Sequence, residues 1–294
     1  MSTTAIISAA IAVATATVCA ASARPLHAMD TCTKVRYPKS EVHSPEQQLD
    51  WLRTRGYAGI AWTADDPAEV ARVAEAAAQR GVPMSAIYLS ATLERDGLKG
   101  DPRFEAIADA LASHGTLLWI HIVSKDFAPS DAAGDAIAIP GLRRLADIAA
   151  ARGLKLAIYP HHKDWTERTS DAIRLANAVD HPSLGVGFNL CHALMAGEEA
   201  RIAELLEQAG KRLFSVTLNG ADAGASGTSW RRLIQPIGRG SFELRGLLAI
   251  LDRIGFRGPV FQQGYGIGMP PEELLESSMR EWRAIAGDPP PPAR

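Results

Sequence analysis

Short apolar runs alternate along this chain with longer amphipathic ones. The apolar runs are KVRY (Lys34–Tyr37), AGIAW (Ala58–Trp62), MSAIYL (Met84–Leu89) and LLWIHI (Leu117–Ile122). KLAIYP (Lys155–Pro160), LGVGFN (Leu184–Asn189), LFSVTL (Leu213–Leu218) and PVFQQ (Pro259–Gln263) follow. Bounded runs of this kind predict strands of a parallel sheet covered on both faces. The stretches between them carry helix signals. SPEQQLDWLRTRG has Ser44 as N-cap and Gly56 as stop; DPAEVARVAEAAAQRG has Asp66 before Pro67 and ends at Gly81. PGLRRLADIAAARG opens at Pro140, and TSDAIRLANAVD, ARIAELLEQAG, SFELRGLLAILDRIG and PEELLESSMREWRAIAG continue the alternation.

Eight strands alternating with helices predict an α/β fold, a single (β/α)8 TIM barrel over residues 24–287. An open doubly wound sheet would carry a Gly-rich phosphate turn after an early strand, and none follows KVRY or AGIAW. A hydrophobic content of 47% suits one large core. A net charge of -2 with no basic stripe points to no nucleic-acid partner. Ala5–Ala23 is uncharged and ends in small residues, so residues 1–23 are expected to be a signal peptide. Its Ala and Thr content makes it a poor anchor, so no stable membrane insertion is expected, and the mature protein is expected to be periplasmic or secreted. Residues 288–294 read as a Pro-rich tail. Cys32 and Cys191 would remain after cleavage, and their spacing does not decide whether they pair.

In such a barrel the chemistry sits at the C-terminal strand ends. These offer His121, Lys125 and Asp126; Tyr159, His161, His162 and Trp165; Asn189 and His192; Thr217, Asn219 and Asp222; Gln263 and Tyr265. Most are neutral hydrogen-bonding or aromatic groups, which suits a polyhydroxyl small molecule: amides bridge hydroxyls and rings stack on sugar faces. His162 follows His161 directly, and alternation along a strand would turn it to solvent.

Several segments carry a resemblance. GYAGIAW, LAIYPHH, GVGFNLCHALMAGEE, SVTLNGAD and GPVFQQGYG together resemble the xylose isomerase-like superfamily of TIM barrels, the sugar phosphate isomerase/epimerase and AP endonuclease 2-like proteins. The YPH, FNLCH, NGAD and LIQP segments are similar to an exported subgroup with substituted metal ligands. In metal-dependent members Glu, Asp, His and Glu hold a divalent ion. The corresponding positions here are Tyr159, Asn189, Thr217 and Gln263, with Gln262 as the alternative to the last if the register slips. None supplies a carboxylate or an imidazole, so the resemblance implies no inherited metal and no cofactor. A divalent metal at a re-sited centre of His121, His161 and His192 is the alternative. His161 and His192 are the expected catalytic pair. Tyr159, Trp165, Asn189, Thr217, Asn219, Gln263 and Tyr265 are the expected substrate contacts. The implied activity is isomerisation or epimerisation of a free sugar or glycoside, or elimination from an oxidised one, by proton abstraction next to a carbonyl. A non-catalytic carbohydrate-binding barrel is the alternative.

Overall fold

The computed structural model describes residues 24–34 and 43–287. The expected signal peptide (1–23), most of KVRY and the Pro-rich tail (288–294) lie outside them. The strands are β1 (Leu26–Met29), β2 (Ile60–Thr63), β3 (Met84–Glu94), β4 (Gly97–Gly100), β5 (Leu117–Ser124), β6 (Lys155–Ile158), β7 (Leu184–Asn189), β8 (Leu213–Leu218) and β9 (Val260–Gln262). The helices are α1 (Pro45–Arg55), α2 (Pro67–Gln79), α3 (Phe104–Leu111), α4 (Asp135–Ala150), α5 (Thr169–Val179), α6 (Leu190–Met195), α7 (Ile202–Ala209), α8 (Trp230–Leu233), α9 (Leu244–Arg253) and α10 (Pro271–Ala286). Eight strands pair in parallel and close on themselves, β9 against β1 and β2 against β3. This is the (β/α)8 barrel that the alternation predicted.

Three details differ from the sequence reading. The first strand is Leu26–Met29, ahead of KVRY. Its side chains alternate as a barrel strand requires: Leu26 and Ala28 pack toward the helices, while Met29 joins Ala61, Ala86, Trp119, Ala157, Tyr159 and Phe261 inside the barrel. Strand β3 runs five residues beyond MSAIYL and turns at Arg95-Asp96 into β4, an antiparallel hairpin outside the barrel. Helix α4 starts at Asp135, so Pro140 lies inside it. Pro140 and Ala136 are both solvent-exposed, so water can bond the carbonyl that the missing N–H leaves open.

The predicted caps form as read. Ser44 accepts from the Gln47 N–H and Gln47 reaches back to the Ser44 N–H, a capping box, while Gly56 ends α1 at φ 80°. Inside the barrel, Trp119 donates its indole N–H to Ser215 Oγ (2.9 Å) and meets Phe261 edge-on at 4.7 Å. This aromatic layer fills the axis, so the polar strand ends above it sit on a solid support.

Candidate active site

The polar strand ends form two layers. The lower layer, the floor, consists of Tyr159, Asn189, Thr217 and Gln263, all buried. Tyr159 ends β6 on the barrel axis, between Trp119 below (4.9 Å) and Tyr88 beside it (5.2 Å). Gly187 makes room for it: a Cβ there would stand 3.3 Å from the Tyr159 ring. Its hydroxyl accepts from Asn189 Nδ2 and lies 3.9 Å from Met29 Sδ. Burial raises the phenol well above its ordinary range, so it is protonated at neutral pH.

Asn189 has a second task. Its Oδ1 accepts from the Cys191 N–H and caps α6. Gln263 Oε1 takes three donors: Thr31 Oγ1 at 2.6 Å, Gly264 N at 3.1 Å and Tyr265 N at 3.2 Å. Gln262 faces away from the axis, where its side chain holds Tyr57 and Ser278, so Gln263 is the inward residue of the pair. Thr217 lies beside the Tyr159 hydroxyl, but its Oγ1 makes no hydrogen bond of ordinary geometry.

These four groups do not fit a divalent ion. They are two amides, a phenol and a hydroxyl, and their acceptor oxygens are largely spent on the protein. Among the described residues, no group of three or more His, Cys, Asp or Glu side chains is set to hold a metal ion. Cys32 and Cys191 are free and buried, and burial raises both thiols far out of the reactive range.

The upper layer, the rim, is different. His121, on the inner face of β5, stacks on Tyr88 at 4.7 Å. His161 stands above β6, 5.8 Å from the His121 ring and 4.2 Å from the His192 ring. The side chain of His161 is 40% exposed and that of His121 19%. Asp164, which the sequence reading did not single out, lies between them: its Oδ2 is 2.6 Å from His121 Nδ1 and 3.5 Å from His161 Nδ1. Burial alone would raise the Asp164 carboxyl, but its bonds to His121 and His161 outweigh that and hold it at about 2.

Neighbours assign the tautomers. His192 Nδ1 accepts from the His162 N–H at 3.2 Å, so the proton of the neutral ring is on Nε2. Burial, reinforced by the adjacent His161, holds His192 well below the usual imidazole range, so it is neutral. His161 Nδ1 faces two acceptors, the His162 carbonyl (3.1 Å) and Asp164, so Nδ1 carries the proton and Nε2 the lone pair. A base nitrogen and a neutral N–H donor therefore sit on adjacent rings.

The remaining expected contacts are spread around the mouth. His162 is half-buried rather than solvent-facing, with Nδ1 2.8 Å from Glu167 Oε1. The Trp165 ring has no open face: it packs by Gly134, and its indole N–H donates to the Asp131 carbonyl. It anchors the β5 and β6 loops instead of lining the mouth. Asn219 Nδ2 donates to the Gly220 and Leu233 carbonyls and clips down the long loop after β8, while its buried Oδ1 has no partner. Tyr265 is half-exposed on the far side and lines a separate cavity of about 160 Å3 with Asp30, Thr31 and Thr63. Trp230, on α8 in the long loop after β8 that the sequence marks as able to close over a ligand, is 39% exposed and stands edge-on to His192 (5.3 Å) and His162 (5.6 Å). Its position depends on the folded loop, which spacing does not reveal.

Residues 49–285 match the sequence profile of the xylose isomerase-like TIM barrel family, and the chain belongs to that family. No curated protein matches it. Solved structures share the fold. A xylose isomerase-like TIM barrel/4-hydroxyphenylpyruvate dioxygenase fusion protein is 20% identical, with a TM-score of 0.67 over 88% of this chain. This chain spans 42% of that protein's length. The IOLI protein with a bound zinc atom is 18% identical, with a TM-score of 0.70 over 90% of this chain and 98% of its own. The 3-keto-D-glucoside 4-epimerase YcjR from E. coli is 16% identical, with a TM-score of 0.65 over 89% and 99%. No helix of the described residues is long and apolar enough to cross a membrane.

Proposed function

We propose that this barrel isomerises or epimerises a free sugar or glycoside by moving a proton next to a carbonyl, without the metal that the family's carboxylate sites hold. The observation that carries the reading is the pairing of His161 and His192, with a base nitrogen and a neutral donor on rings 4.2 Å apart. His161 Nε2 takes the proton from the carbon next to the carbonyl, and the imidazolium so formed returns it to the neighbouring carbon to complete the isomerisation. His192 Nε2–H, fixed by the His162 backbone, stabilises the developing enediolate oxygen as a neutral donor. The floor gives shape: Tyr159 and Asn189 close the axis, so a sugar rests on the rim. Trp230 offers an aromatic edge on one side of it. With the apolar Ala5–Ala23 leader, the reading extends to an exported protein that meets unphosphorylated sugars.

Catalysis is favoured over binding alone because a pure binding site has no need of the base–donor pair. The test is a panel of free pentoses, hexoses and simple glycosides, followed by calorimetry and by NMR of the products. Conversion of one sugar supports the enzyme. Saturable binding with no conversion across the panel would establish the carbohydrate-binding alternative.

A further inference from the structure

We infer that Asp164 is the positioning residue of the rim, and that through it His121 joins His161 as a second base facing the mouth. The inference rests on the reading above, that rim histidines move the proton. It stands on geometry. One carboxylate oxygen faces the Nδ1 atoms of both rings, at 2.6 Å for His121 and 3.5 Å for His161. An ionised carboxylate only accepts hydrogen bonds, so both Nδ1 atoms carry protons, and in the neutral rings both Nε2 atoms keep their lone pairs. The Tyr88 ring, stacked on His121 with planes 8° apart, fixes that ring's plane.

The loop is shaped for this purpose. His161 N–H donates to the Thr166 carbonyl, and Asp164 N–H donates to the His161 carbonyl, so residues 161–166 close into a compact turn that brings Asp164 back beneath His161. Closing the turn puts Lys163 in the left-handed region at φ 73°, strained for a residue with a Cβ. The Lys163 N–H is held by Glu167 Oε1 at 3.0 Å, and the Trp165 N–H by the Ile122 carbonyl at 2.8 Å.

The test is the ring-nitrogen spectrum of protein labelled with 15N-histidine, followed by the near-isosteric Asp164→Asn. In the unmodified protein His121 is expected as the Nδ1–H tautomer, with its Nδ1 proton strongly deshielded by the carboxylate. In Asp164→Asn that deshielding is lost, because the carboxylate that accepts from the ring has gone. His181, mostly buried and paired with Asp147 away from the mouth, is the internal control, and its ring-nitrogen signals are expected unchanged. Finding His121 as the Nε2–H tautomer in the unmodified protein would overturn the inference, and that result does not depend on the variant folding. An unchanged His121 Nδ1 proton shift in a folded Asp164→Asn would overturn it as well. If a sugar is turned over, Asp164→Asn is expected to lower kcat by about tenfold or more, with KM little changed. If no sugar is turned over, the spectrum still decides the positioning role, so the two readings fail separately.

Discussion

The floor and the rim of the barrel mouth differ in how their polar atoms are used. In the floor, Asn189 serves Tyr159 and the α6 cap, and Gln263 collects three donors, Thr31 from beyond β1 and two N–H groups from its own loop. Little capacity is left for a ligand. In the rim, His121 and His161 spend one nitrogen on the protein and keep the other for the mouth. The same strand ends thus carry a layer bonded to the protein below and a layer with free ring nitrogens above. At Tyr159, Asn189, Thr217 and Gln263 the side chains are part of the buried packing, and the proposed chemistry lies one layer outward, at the histidines.

The largest expected effect separates the layers by activity. His161→Asn is expected to lower turnover of a converted sugar by about 10²–10⁴-fold, the ordinary contribution of a general base, while urea unfolding stays within about 0.5 kcal/mol. The reverse holds for the floor. Tyr159→Ala removes a buried ring packed on Trp119 and Tyr88, and is expected to cost about 3–5 kcal/mol in urea unfolding. A stable Tyr159→Ala with lost turnover would break the comparison, because the floor would then be chemical.

The next effect lies in acid. His27, half-buried at the base of the barrel on Ser85, is lowered by burial to about 4. Its folded value is below its unfolded one, so the unfolded chain binds the proton first. Stability is full above about pH 6.5 and falls as pH drops toward 4, by on the order of 3 kcal/mol from this residue. Urea unfolding at pH 7 and pH 4 checks this, with His27→Gln expected to flatten the difference. Asp164 acts in a lower window. Held at about 2, it contributes stability above about pH 4 that is lost toward pH 2, on the order of 1–3 kcal/mol and absent in Asp164→Asn. The smallest effect is at the edge of the mouth: Trp230→Ala is expected to weaken sugar binding several-fold, about 1 kcal/mol, with unchanged urea unfolding.

Much of this was legible in the sequence, and the exceptions have physical causes. Strands β7 and β8 match LGVGFN and LFSVTL end to end, because fully buried parallel strands leave unbroken apolar runs. Strand β1 was hidden. Four residues that include a histidine give a weak pattern, and the β-branched, aromatic KVRY beside them gives a stronger one. His161 and His192 stood out as imidazoles at strand ends, and the structure brings their rings together. Asp164 was invisible: nothing in HHKDW says that Lys163 turns left-handed and folds the aspartate back under its neighbour. Trp165 was read as a stacking surface because any Trp in such a loop can be one, and only packing shows that its indole N–H is used within the protein.

The most direct test of the account is deuterium incorporation from D2O into the sugar that binds, measured by NMR in the presence of excess EDTA. The account predicts exchange at the carbon next to the carbonyl with the unmodified protein and little with His161→Asn. Exchange that stops in EDTA and returns with zinc or manganese, or that persists in His161→Asn, would contradict it.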